Sequence, residues 1–181
     1  MKKAILLILL GTGFFAHAQE PETTPEEESK NELAKHEVKL NMGYLLGGIP
    51  EIYYERILNE ESAVGISVLI PIDDVAINFL VIPYYRVYFG KKHAAGFFME
   101  GNVAVFSEEV IYDSFFDDEG DLQEEGENKL GMGFGIALGG KWMTKSNWIF
   151  ELTTGLGRNF VNEDVISILY PRAGISVGKR F

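Results

Sequence analysis

Residues 130–142 read Leu-Gly-Met-Gly-Phe-Gly-Ile-Ala-Leu-Gly-Gly-Lys-Trp. Leu130, Met132, Phe134, Ile136, Leu138 and Trp142 form one set; Gly131, Gly133, Gly135, Ala137, Gly139 and Lys141 form the other. Side chains of a strand point alternately to its two faces, so this is a strand with one large apolar face and one almost bare face. A bare face makes a poor soluble surface, which would be rich in Lys and Glu. It suits the inside of a small barrel, where the wall must leave room for side chains from the opposite strands. The apolar face then points outward, to lipid.

The same period runs through the rest of the chain from His36. Glu37–Tyr44, Glu51–Leu58, Ala63–Ile70 and Asn78–Phe89 alternate in the first half. Ala95–Phe106, Leu130–Trp142, Trp148–Arg158 and Leu169–Phe181 alternate in the second. No segment has a helical period. The spacing therefore predicts an all-β, eight-stranded antiparallel up-and-down transmembrane β-barrel over residues 36–181. Strands of about nine to eleven residues span a bilayer when tilted, and closure leaves no unpaired edge in lipid. Three turns, Asn59–Ser62, Gly90–Ala94 and Met143–Asn147, are short. The links Pro71–Ile77, Ser107–Lys129 and Asn159–Ser167 are longer, the asymmetry of periplasmic turns against outer loops. Gly47–Pro50 is a short exception. Tyr44, Tyr85, Phe89, Trp142 and Trp148 fall near strand ends, where interfacial aromatics belong.

The N-terminus reads as a secretory signal peptide: Met1-Lys2-Lys3, an apolar run from Ala4, then Ala16-His17-Ala18 with cleavage after Ala18. A membrane anchor is the lesser reading, because the run is shorter than a spanning helix. Residues 19–35, rich in Pro, Thr and Glu, read as a flexible acidic periplasmic tail. The expected location is the outer membrane.

Of 181 residues, 27 are Asp or Glu and 16 are Lys or Arg, and none is Cys. The acidic balance excludes the basic footprint of a nucleic-acid binder. Lack of Cys excludes a disulfide framework, a thiolate metal site and a cysteine nucleophile. The acidity is also unevenly placed. Residues 19–35 hold six acids and two lysines, and residues 107–129 hold ten acids and one lysine. The remaining barrel has eleven of each sign.

The strings Pro83-Tyr84-Tyr85-Arg86-Val87-Tyr88-Phe89-Gly90, Gly96-Phe97-Phe98-Met99-Glu100-Gly101 and Tyr170-Pro171-Arg172-Ala173-Gly174-Ile175-Ser176-Val177-Gly178 resemble a family of small barrels with no assigned function. In architecture the chain is similar to small outer-membrane proteins of Gram-negative bacteria, such as the OmpA membrane domain and OmpX. The end of the chain, Ile175, Val177 and Phe181, resembles the C-terminal signal read by the barrel-assembly machinery, with Lys179 where an aromatic is usual. The resemblance implies outer-membrane lipid and that machinery as partners, and no catalytic residues.

Six charges on the bare faces, Glu55, Arg86, Glu100, Lys141, Glu151 and Arg172, would share one narrow interior. An unpaired charge there is expensive, so a self-neutralising network is expected; a gated solute path is the alternative. Reading Glu55, Glu100 and Glu151 as catalytic carboxylates fails, since nothing fixes a water or nucleophile beside them. The acidic stretch Ser107–Lys129 departs from the EF-hand pattern, with Leu122 where Gly is needed. It reads as a solvated outer loop, in which Ile111, Tyr112, Phe115 and Phe116 offer a contact patch for an extracellular partner. Gly131–Gly135 is packing space rather than a nucleotide fingerprint, because no helix follows. His36 and His93 stand apart from any metal or acyl-transfer set. The expectation is a non-enzymatic outer-membrane barrel without cofactor or metal, with a structural or surface-interaction role through its acidic loop. A narrow channel is the alternative, and a soluble periplasmic barrel binding a lipid-like ligand a third reading.

Overall fold

In a computed structural model, eight antiparallel strands close into one barrel in chain order. The structure describes residues 34–72, 75–116 and 122–181, with the side chains of 113–116 and 122–125 excepted. The expected signal peptide and nearly all of the acidic tail lie outside the described residues. The strands are β1 (His36–Asn41), β2 (Glu51–Asn59), β3 (Ser62–Leu69), β4 (Ile77–Phe89), β5 (Gly96–Phe116), β6 (Leu122–Met143), β7 (Trp148–Asn159) and β8 (Leu169–Arg180). Each pairs with its sequence neighbours, and β1 closes on β8 from Glu37↔Arg180 to Asn41↔Ser176. His36 and Phe181 seal this closure by exchanging backbone hydrogen bonds of 3.0 and 2.8 Å, and their rings stack.

Two expectations are corrected. The alternation through Tyr44 does not continue as strand; residues Met42–Leu46 form a short helix, α1. Asn41 caps it, its side chain accepting from the Tyr44 N–H, and Gly47 and Gly48 end it. A five-residue helix is too short to show a helical period, and its apolar residues fit the strand pattern equally well. The stretch 107–129 is also not a plain loop. β5 runs to Phe116 and β6 starts at Leu122, paired residue by residue as far as Phe116↔Leu122. β4 leaves this ladder at Ile77↔Glu108, and β7 leaves it at Gly133↔Asn159. Just beyond these points the Glu109 N–H still donates to the Ala76 carbonyl and the Phe160 N–H to the Met132 carbonyl. From Val110 upward the hairpin's ladder among the described residues is that of β5 with β6. Val110–Phe116 carries it roughly 24 Å past the rim at about 3.4 Å per residue.

The two faces of the wall have opposite character. Val38, Ile52, Ile66, Tyr85, Phe97, Ile136, Leu152 and Ile175, one from each strand, stand exposed on the outer face. The inner face carries the buried charges. Its glycines lie opposite large rings: a Cβ at Gly65 would strike Tyr84, at Gly131 Phe106, at Gly139 Phe98 and at Gly157 Tyr170. The bare faces of β3, β6 and β7 are therefore the wall against which aromatic rings from other strands lie.

Candidate functional site: a charge ladder between two apolar plugs

The barrel interior has three layers. At the lower end, which holds His36 and Arg180, Ile57, Ala63, Tyr88, Ala94 and Phe98 form a buried apolar cluster. At the upper end a second cluster joins Leu69, Leu80, Ile82, Ala104, Phe106, Ile166 and Tyr170. Between and beside them runs a continuous ladder of ion pairs.

The ladder starts at Arg180, whose Nη2 lies 2.7 Å from Glu37 Oε1; the same guanidinium donates to the His93 and Ala94 carbonyls. Lys141 Nζ reaches Glu37 at 2.7 Å and also pairs with Glu55. Lys39 Nζ lies 2.8 Å from both Glu55 and Glu151. Arg86 is the hub: Nη1 donates to Glu55 at 2.8 Å and Glu151 at 2.9 Å, and Nε donates to Glu100 at 2.8 Å. Arg172 continues upward, with Nε 2.7 Å from Glu100 and Nη1 2.7 Å from Glu51. Tyrosine and asparagine side chains complete the set. Tyr53 and Tyr88 donate to Glu51 and Glu55 at 2.7 and 2.6 Å, and Asn102 and Asn41 donate to Glu100 and Glu51.

The ladder thus joins five carboxylates (Glu37, Glu51, Glu55, Glu100, Glu151) to five cations (Lys39, Arg86, Lys141, Arg172, Arg180), all buried. Desolvating one ion costs several kcal/mol, and it is offset only by close pairing and further hydrogen bonds. Equal numbers and shared partners meet that condition. Arg86 Nη2 has no hydrogen-bond partner among the described residues, but the guanidinium carbon lies 4.2 Å from the Phe98 ring centroid and 4.5 Å from that of Tyr84. Cation–π attraction offsets part of that loss.

All six residues marked in the sequence, Glu55, Arg86, Glu100, Lys141, Glu151 and Arg172, meet in this ladder. Four further members, Glu37, Lys39, Glu51 and Arg180, were missed. They sit on the same inward parity, and extending the alternation to the strand ends would have found them. Among the described residues no group of three His, Cys, Asp or Glu side chains is placed to hold a metal ion. Every ladder carboxylate is held by at least one of the ladder's cations. Ile175 and Phe181 are exposed on the outer face and Val177 is half-buried. On the hairpin, Ile111 and Tyr112 are exposed; the side chains of Phe115 and Phe116 lie outside the described set.

No curated protein and no solved structure matches the chain. One family model, that of a protein of unknown function (DUF3575), matches residues 4–173. The match spans nearly the whole sequence, so the chain belongs to the DUF3575 family.

Proposed function

We propose that this protein is an integral outer-membrane barrel of a Gram-negative bacterium, closed to solute flow, which presents its β5–β6 hairpin as an outer interaction arm. One observation carries the membrane reading: the barrel buries ten ladder charges while exposing apolar side chains on all eight strands. Soluble proteins seldom expose contiguous apolar patches beyond a few hundred Å². Lipid-facing barrels do so around their whole girth. Trp142 and Trp148 stand exposed at the lower end, where an aromatic girdle is expected.

Two apolar clusters and the ladder between them favour a closed barrel over a channel. An interior full of ion pairs also disfavours a soluble carrier with a lipid-like ligand at its centre. The signal peptide ending at Ala18 and the C-terminal residues Ile175, Val177 and Phe181 fit secretion and handover to the barrel-assembly machinery. The arm reading rests on the hairpin's length beyond the rim and on the acids of residues 107–129.

Refolded protein mixed with phosphatidylcholine vesicles should float with them in a density gradient and shift its gel mobility on heating. Sedimentation as free, detergent-independent protein sinks the membrane reading. In planar bilayers the protein should show no unitary conductance, and neither should Arg86→Ala. Reproducible steps in the native protein would refute the closed barrel.

A further inference from the structure

The barrel wall is incomplete at its upper end. β8 pairs with β7 up to Leu169, but its ladder with β1 stops at Ser176. Above that point the free side of β8 faces α1 and the links around it. Asn41 Nδ2 donates to the Ala173 carbonyl across this seam at 3.2 Å. Pro171 has the parity of Ala173, so the N–H it lacks would have pointed into the same seam.

A cleft of about 370 Å³ opens there. Its lining includes Leu80, Phe106 and Tyr170, which are buried inside the barrel, and Leu169 and Pro171, which are exposed on the outer face. The cleft therefore links the interior to the outer surface. Its lining is mostly apolar, and among the described residues it contains one charged group, Glu108. That carboxylate accepts the Ser167 N–H at 2.7 Å and the Ser167 hydroxyl at 2.6 Å.

We propose that this cleft binds the alkyl chain of a membrane amphiphile, which enters sideways through the seam and sets an amine head group against Glu108. The proposal rests on the membrane reading above, because the chain is delivered from lipid. The volume holds about a dozen water-sized groups at ~30 Å³ each, enough for a chain of roughly ten carbons. A carboxylate at the polar end favours a cationic donor and repels a second carboxylate. Continuity with the exposed outer face argues for entry from the membrane.

The test uses the full protein in phosphatidylcholine vesicles, with dodecylamine bearing a photoreactive diazirine at its chain end. After irradiation, peptides are mapped by mass spectrometry, and flotation is scored on the same samples. Adducts should concentrate on the cleft lining, saturate, and be displaced by unlabelled dodecylamine. Ala76→Trp, placed in the exposed link beside the cleft, should abolish them by filling the space. Glu108→Gln should weaken amine labelling about tenfold, or ~1.4 kcal/mol, while a dodecanoic-acid probe gains. Protein that floats but carries unsaturable adducts spread over all eight strands, unchanged in both variants, overturns the cleft and leaves the membrane reading intact. Protein that fails to float overturns both.

Discussion

Arg86→Met tests the ladder at its hub. Arg86 is fully buried and pairs with Glu55, Glu100 and Glu151 at 2.8–2.9 Å. Removing the guanidinium leaves five ladder carboxylates facing four cations. Glu55 and Glu151 keep Lys39 and Glu100 keeps Arg172, so no carboxylate is stripped of every partner. The interior nevertheless carries one uncompensated negative charge. Breaking a buried ion pair from one side costs about 3–5 kcal/mol. With a urea dependence of about 2 kcal/mol per molar, the unfolding midpoint should fall by roughly 1.5–2.5 M. Fluorescence of Trp142 and Trp148 provides the readout, in a fixed detergent or lipid. Adding Glu100→Gln restores four against four, so the double variant should be more stable than the summed single losses by at least about 1 kcal/mol. Arg56→Ala, on the exposed outer face, is the control and should shift stability by no more than about 0.5 kcal/mol. A loss below ~1 kcal/mol for Arg86→Met, or losses that simply add in the double variant, would refute the ladder as the neutral core of the barrel.

Other parts of the account can be tested as directly. Gly157→Ala drives a Cβ into the Tyr170 ring and should cost about 1–3 kcal/mol, whereas Gly101→Ala meets nothing within 4 Å and should be near neutral by the same urea titration. Replacing residues 110–127 with Asn-Gly closes the hairpin at the Glu109↔Asn128 pair by a two-residue turn. The change removes Val110, which packs on the upper apolar cluster, so barrel stability should fall by about 1–2 kcal/mol, and any partner captured by the intact protein should be lost. Phe181→Ala removes the ring stacked on His36 at the closing pair; it should slow appearance of the heat-shifted species in assembly assays, and an unchanged rate would discount the C-terminal signal.

Most of the architecture was legible because every strand obeys one alternation. Gly131–Gly139 opposite Met132–Leu138 fixes both the strand and the contrast between its faces, and the same parity brings Arg86 and Glu100 into register across β4 and β5. Three features were not legible. On the β5 arm Val110, Ile111 and Tyr112, then Phe115 and Phe116, stand side by side in sequence rather than alternating, and the β6 arm is mostly Gln, Glu and Gly, so neither shows a period-two apolar set. They are extended because each backbone finds its partner across the ladder, a tertiary effect outweighing propensity. α1 is hidden because Met42, Tyr44 and Leu46 mimic a strand, and only the Asn41 cap and the glycines after it mark a turn. Glu37, Lys39, Glu51 and Arg180 lie close to strand ends, where a charge reads as rim. Glu37 and Arg180 are buried by the Arg180 side chain folding back over the Glu37 carboxylate and the 93–94 turn. Lys39 is buried by Glu55 and Glu151 and Glu51 by Arg172 and Asn41, all contacts between residues on different strands or turns.

The central claim is that the apolar face is outside, in lipid, while the charges are inside. Because the chain has no Cys, one spin label can be placed at Ile136→Cys, 72% exposed on the outer face of β6, in vesicle-bound protein. The label should collide readily with dissolved oxygen and scarcely with a water-soluble nickel chelate, as a site in the hydrocarbon does. Free access of the nickel chelate to Ile136→Cys, with the protein folded and bound to the vesicles, would contradict the account.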